Sequence, residues 1–102
     1  MTNGNLVSGS NDKTVKIWNT NTGSLVYTLL GHTSIISSLV TLLNGNLASG
    51  SYDKTIKIWN PNNGSLVYTL TGHTSFVSSL ASLPNGYFAS SSDDMTVKIW
   101  SN

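Results

Sequence analysis

Three tryptophans, Trp18, Trp59 and Trp100, stand 41 residues apart, and the rest of the chain follows their spacing. Laying residues 4–44 over 45–85 without a gap gives 30 identities in 41 positions, and residues 86–102 begin a third copy. A period in this range means that one small supersecondary unit is built several times, each copy burying its apolar face against the next. Two and a half such units account for nearly all of the 102 residues, so the chain has no room for a second, unrelated domain.

Within the unit the signals are those of strands and tight turns. Short runs rich in β-branched and aromatic residues recur, such as Thr14-Val15-Lys16-Ile17-Trp18, Leu25-Val26-Tyr27-Thr28-Leu29 and residues 35–41. Between them fall Asn44-Gly45 and Asn85-Gly86, dipeptides suited to two-residue hairpin turns, and the turn signals Thr22-Gly23 and Asn63-Gly64. No segment carries a helical period with caps. The expected fold is all-β, with ten strands of about five residues joined by turns.

Composition narrows the chemistry. Only 9% of residues are charged and the formal net charge is +1, while Ser, Thr and Asn together supply 41 residues. No basic patch is available to follow a nucleic-acid backbone, so nucleic acid is not an expected partner. Without cysteine there is no disulfide framework, thiolate metal site or cysteine nucleophile. The apolar runs are all far shorter than the roughly 20 residues of a membrane span, and the N-terminus has no signal-peptide pattern. A soluble, cytoplasmic protein is the default expectation. Lys16, Lys57 and Lys98 recur at one position of the unit, and Lys13 and Lys54 at another. These suit edge protection and solubility better than phosphate binding.

Gly31-His32-Thr33-Ser34 followed by the run from Leu47 to Trp59, Leu-Ala-Ser-Gly-Ser-Tyr-Asp-Lys-Thr-Ile-Lys-Ile-Trp, resembles the WD-repeat family of β-propellers. The family's closing Trp-Asp reads Trp18-Asn19, Trp59-Asn60 and Trp100-Ser101 here, a departure common in the family. The resemblance implies antiparallel four-stranded blades and an incomplete propeller of about 2.5 blades. The first would lack its inner strand and the last its rim strand. It also implies a structural hydrogen-bonded set in each blade: His32, Ser49, Asp53 and Trp59 in one, His73, Ser90, Asp94 and Trp100 in the next, and Ser8, Asp12 and Trp18 in the first.

Ser, His and Asp are also the residues of a hydrolytic triad. The set recurs in every unit, however, whereas an active site normally occurs once, so no enzyme, catalytic residue, metal or cofactor is expected. The two long copies differ least conservatively at Ile35/Phe76 and at Asn11/Tyr52, the latter continuing as Asp93 in the third. In the family these places lie on one face of the disc, which makes Tyr52, Phe76, Ile35, Asn11 and Asp93 the candidate partner-binding residues. The expected function is a non-catalytic scaffold that displays a face to protein or peptide partners. The alternatives are a self-assembling glycan-binding propeller and a fragment without independent activity. Incomplete blades also leave room for homo-oligomers.

Overall fold

The computed structural model describes residues 5–9, 13–19, 22–42, 45–61, 63–83 and 86–101. Among these residues ten strands follow one another: β1 Asn5–Gly9, β2 Val15–Asn19, β3 Leu25–Leu29, β4 Ile36–Thr41, β5 Leu47–Ser51, β6 Ile56–Asn60, β7 Ser65–Leu70, β8 Val77–Ser82, β9 Tyr87–Ser92 and β10 Val97–Ser101. They form three antiparallel sheets in plain sequence order: β1-β2-β3, β4-β5-β6-β7 and β8-β9-β10. The middle sheet is a complete blade. Register aligns equivalent residues, with Ser49 opposite Lys57 in the middle blade and Ser90 opposite Lys98 in the third.

The turns differ in one respect from the sequence expectation. Leu42 N–H donates to the Asn46 carbonyl at 2.8 Å, and Gly45 N–H donates to the Leu42 carbonyl at 2.9 Å. The pair that closes this hairpin is therefore Leu42 with Asn46, with three residues between them rather than two. Gly45 takes the positive φ, at 91°, that lets such a loop rejoin the strand twist. Leu83 and Tyr87 close the equivalent hairpin in the third blade, with Gly86 at φ 81°. The opposite turns use the same device with non-glycine residues. Lys13, Lys54 and Met95 sit at φ 73°, 75° and 69°.

Two apolar layers lie between the blades. Val15, Ile17 and Leu29 of the first blade pack on Ile36, Leu47 and Trp59 of the second, with Tyr27 and Leu39 at the margin. Ala48, Ile56 and Ile58 of the second pack on Val77, Leu80 and Phe88 of the third. The first and second blades thus each offer the β-branched residues of their third strand to the next, which covers them with its inner strand and tryptophan. The strands β4 and β8 lie side by side. The Ser37 hydroxyl ties them by donating to the Gly50 carbonyl of its own blade or the Val77 carbonyl of the next. Leu80 N–H donates to the Ser38 hydroxyl at 3.2 Å.

Candidate functional site

In the middle blade four side chains from two strands and two connections meet in one line. Trp59, on β6, donates its indole N–H to Ser49 Oγ on β5 at 2.8 Å. Ser49 Oγ lies 2.7 Å from His32 Nε2, and His32 Nδ1 lies 2.9 Å from Asp53 Oδ2. The hydrogens follow from the chemistry of the ends. An ionised Asp53 can only accept, so Nδ1 carries the imidazole hydrogen and Nε2 accepts from the Ser49 hydroxyl. The Ser49 oxygen is thereby left to receive the indole hydrogen. Every member both satisfies and orients its neighbour. Among the described residues no buried side-chain nitrogen or oxygen lacks a partner.

The third blade repeats the set with the same spacing. His73 stands 2.9 Å from Asp94 and 2.7 Å from Ser90, and Trp100 donates to Ser90 at 2.8 Å. Of the corresponding first-blade positions, the Asp12 residue and the Ser8 side chain lie outside the described residues. Trp18 lies within them, on β2.

Glycine makes room for the line. A Cβ at Gly31 would stand 3.3 Å from Trp59 Cη2 and 3.4 Å from Lys57 Cε, so the backbone before His32 rests directly on the indole. Gly72 rests on Trp100 in the same way. This close approach explains why glycine precedes each histidine.

Two threonines complete the set and were not singled out in the sequence. Asp53 Oδ1 accepts from the Thr55 hydroxyl and from Thr55 N–H at 2.9 Å, while Oδ2 also accepts from Thr33 N–H at 3.0 Å. Thr96 and Thr74 serve Asp94 identically. Ser51 adds a brace from below, accepting from Asp53 N–H and donating to the Ile35 carbonyl. The signal was present: Asp-Lys-Thr at 12–14 and 53–55 becomes Asp-Met-Thr at 94–96, so the threonine persists where the lysine does not.

Burial alone would raise the Asp53 pKa, but the hydrogen bonds from Thr55, Thr33 and His32 outweigh it and hold the group at about 2, against an ordinary 3.8. Asp94 is held well below the carboxylate range, first by the Thr96 hydroxyl. Burial lowers the His32 pKa below 6.5, against the opposing pull of Asp53. All three shifts have one sign. The unfolded chain binds more protons in acid than the folded one, so stability is full above the unfolded pKa values and is lost as pH falls. The thermal midpoint is expected to decline first as pH drops below 6.5, through His32, and again below about 3.8, through the two aspartates. A pH series of thermal melts checks this, with His32→Gln expected to flatten the first decline. A midpoint that rose between neutrality and about pH 5 would mean that the imidazolium is the form held in the fold.

The connectivity Ser–His–Asp is that of a hydrolytic triad, but its surroundings are not. Ser49 is 0% exposed and Ser90 1%, and each serine oxygen is already covered by an indole N–H. A nucleophile needs access to its substrate. Among the described residues no three of His, Cys, Asp or Glu stand together as metal ligands.

The other candidate residues gather at one end of the blade boundary. Tyr52, on the turn between β5 and β6, stacks on Phe76, just before β8 of the next blade, with ring centroids 4.4 Å apart. Tyr52 N–H donates to the Ile35 carbonyl at 2.9 Å, and Asp93 N–H to the Phe76 carbonyl at 3.3 Å. Tyr52 remains 45% exposed, Ile35 and Phe76 are half-buried, and Asp93 is exposed. Asn11 lies outside the described residues.

The family model "WD domain, G-beta repeat" matches residues 2–19, 23–60 and 64–101. The chain belongs to the WD40 family. Solved WD40 structures superpose on it closely. The WD40 propeller domain of Doa1 matches at 33% identity with a TM-score of 0.92, over 97% of this chain and 33% of that one. The structure of U3-55K and the WD40 repeats of RRP9 each match at 32% identity and a TM-score of 0.90, over 97% of this chain and 31% of theirs. The chain thus spans about a third of the length of these structures. Among curated proteins no sequence matches it. WD40 propellers are generally non-catalytic scaffolds for protein interaction, and the described residues here form one complete and two three-stranded blades of that fold.

Proposed function

We propose that this WD40 segment is a non-catalytic scaffold that holds peptide segments of partner proteins on the face carrying Tyr52 and Phe76. The observation that carries the reading is their stack across the blade boundary. Two aromatic rings fixed against each other, one of them 45% exposed, form a preorganised apolar platform. Such rings give contact area at little cost in lost side-chain freedom, which is why aromatics recur as anchors of interfaces. They also occupy positions where two otherwise near-identical repeats diverge, from Asn11 to Tyr52 and from Ile35 to Phe76. The buried hydroxyls of Ser49 and Ser90 support a scaffold without bond chemistry.

The stack also joins two blades, and such a pair adds about 0.5–1.5 kcal/mol beyond its area. The test therefore measures stability and binding separately. Peptides selected from a displayed random library on the folded chain are titrated against Tyr52→Ala and Phe76→Leu, each first shown by thermal melting to remain folded. Loss of roughly tenfold or more in affinity in both variants is expected of an anchor pair. Selected peptides that bind all three proteins alike would place the docking face elsewhere.

A further inference from the structure

Lys13, Lys54 and Met95 occupy one position of the unit, and all three sit at positive φ. The turns they belong to are alike: Lys54 N–H donates to the Ser51 carbonyl at 3.3 Å, and Met95 N–H to the Ser92 carbonyl at 3.2 Å. What differs is charge. Asn11-Asp12-Lys13 and Tyr52-Asp53-Lys54 each carry one aspartate and one lysine, a formal sum of zero. Asp93-Asp94-Met95 carries two aspartates and no lysine, a formal sum of −2. Two departures in one turn thus act in the same direction, one adding a carboxylate and the other removing an ammonium.

The two aspartates are placed differently. Asp94 is held by Thr96, Thr74 and His73 within the blade. Asp93 is exposed, and among the described residues its carboxylate takes part in no hydrogen bond or ion pair. The third blade's one lysine, Lys98, lies on β10 with its stem against Gly72 and pairs with neither aspartate. Asp93 also stands at the border of the aromatic stack, since its N–H donates to the carbonyl of Phe76, whose ring lies on Tyr52. Two residues on, Met95 is 97% exposed and adds an unbranched apolar side chain that adapts to what it meets. An unpaired carboxylate therefore borders an apolar surface.

We infer that the peptide held on this face carries a lysine or arginine next to its apolar anchor, the cation meeting Asp93 while the anchor rests on Tyr52 and Phe76. The inference rests on the platform proposed above and names the partner that platform takes. The whole chain carries a formal +1, but at physiological salt charges beyond about 8 Å are largely screened, so the nearest turn decides what the peptide meets. Lys54, on the Tyr52 side, is offset by Asp53 of its own turn, whereas nothing in the third turn offsets Asp93. An exposed charge pair adds little affinity, and its effect falls on partner choice, association rate and salt dependence.

Three short fluorescent peptides test this on the full chain: a leucine–tryptophan pair flanked by lysines, the same pair flanked by glutamines, and the same pair flanked by glutamates. The wild type is expected to bind the lysine peptide most tightly and the glutamate peptide least, with up to about fivefold between neighbours in that order, and added salt is expected to close the gaps. Asp93→Asn/Met95→Lys gives the third turn the residues that the first already carries, so the fold and its circular dichroism spectrum should persist while the preference for lysine disappears. Tyr52→Ala should weaken all three peptides. Equal binding of the three by the wild type, with Tyr52→Ala still weakening each, leaves the platform standing and overturns the inference. A lysine preference that survives in the double variant overturns it too, because the cation is then held elsewhere, and so does a lysine peptide that does not bind. Binding that Tyr52→Ala leaves untouched overturns the platform, and the inference with it.

Discussion

Asp53→Ala is expected to destabilise the chain by about 3 kcal/mol, the largest loss from any single polar substitution in the middle blade. Four donors lose their acceptor together: the Thr55 hydroxyl, the N–H groups of Thr55 and Thr33, and His32 Nδ1. A net hydrogen bond contributes about 1 kcal/mol, and a buried donor left unpaired costs more than that. Loss of the carboxylate also frees the imidazole to turn, which loosens its hold on Ser49 and through it Trp59. Asp53→Asn should lose less, because an amide oxygen still accepts from the Thr55 side while its NH2 group meets donors on the other. Asp94→Ala should also lose less, since its blade is covered on one side only. Urea unfolding monitored by tryptophan fluorescence measures all three. An Asp53→Ala chain within about 0.5 kcal/mol of wild type would show that the set is a by-product of the turn and holds nothing in place.

The second large effect is expected at Gly50→Val. A Cβ built at Gly50 stands 2.7 Å from Val77 Cγ1, closer than packed carbon atoms come, and already touches Leu80 Cγ at 3.4 Å. The neighbour is a β-branched side chain with 0% exposure, so it has nowhere to turn. The second and third blades must separate to admit the added atoms. That separation removes the Ser37 bridge to the Val77 carbonyl and opens the layer formed by Ile56, Ile58 and Phe88. Overpacking of this kind costs about 1–3 kcal/mol, and the lost layer adds to it. Amide exchange should show β8, β9 and β10 losing protection while β1 to β7 keep theirs. Uniform loss across all ten strands would mean that the blades unfold as one unit. Ser91, the equivalent position in the third blade, carries a Cβ without conflict because no blade lies over it among the described residues; its hydroxyl pairs with Ser78 instead.

Much of the fold was legible because the same unit is written more than twice. Ten strands, their antiparallel order and the two three-stranded end sheets follow from the 41-residue period and the strand and turn signals together with the family resemblance. The set around His32 could be assembled from recurrence plus that resemblance, since His, Ser, Asp and Trp each return one period later. Thr55 and Thr96 were passed over because threonine is common in this chain, and one among many hydroxyls does not stand out. The hairpins were read as two-residue turns because Asn-Gly favours them in isolation. The same dipeptide also fits a three-residue connection, and only the pairing of Leu42 with Asn46 distinguishes the two. The stack of Tyr52 on Phe76 joins residues 24 positions apart on different blades, a distance over which no local pattern acts.

Val15, Ile56 and Val97 show most plainly where sequence ends and tertiary structure begins. They occupy one position of one unit, on third strands of the same kind, and the sequence treats them alike. In the folded chain the first two are 0% and 1% exposed and the third is 68% exposed. Burial of such a side chain contributes about 1.5–3 kcal/mol, so equal residues make unequal contributions. The sequence determined the unit, because strand propensity, turn chemistry and the local hydrogen-bonded set depend on neighbours within one period. What each unit's apolar face does was decided only by the tertiary structure, because hydrophobic burial is a property of two surfaces, and the second belongs to another blade.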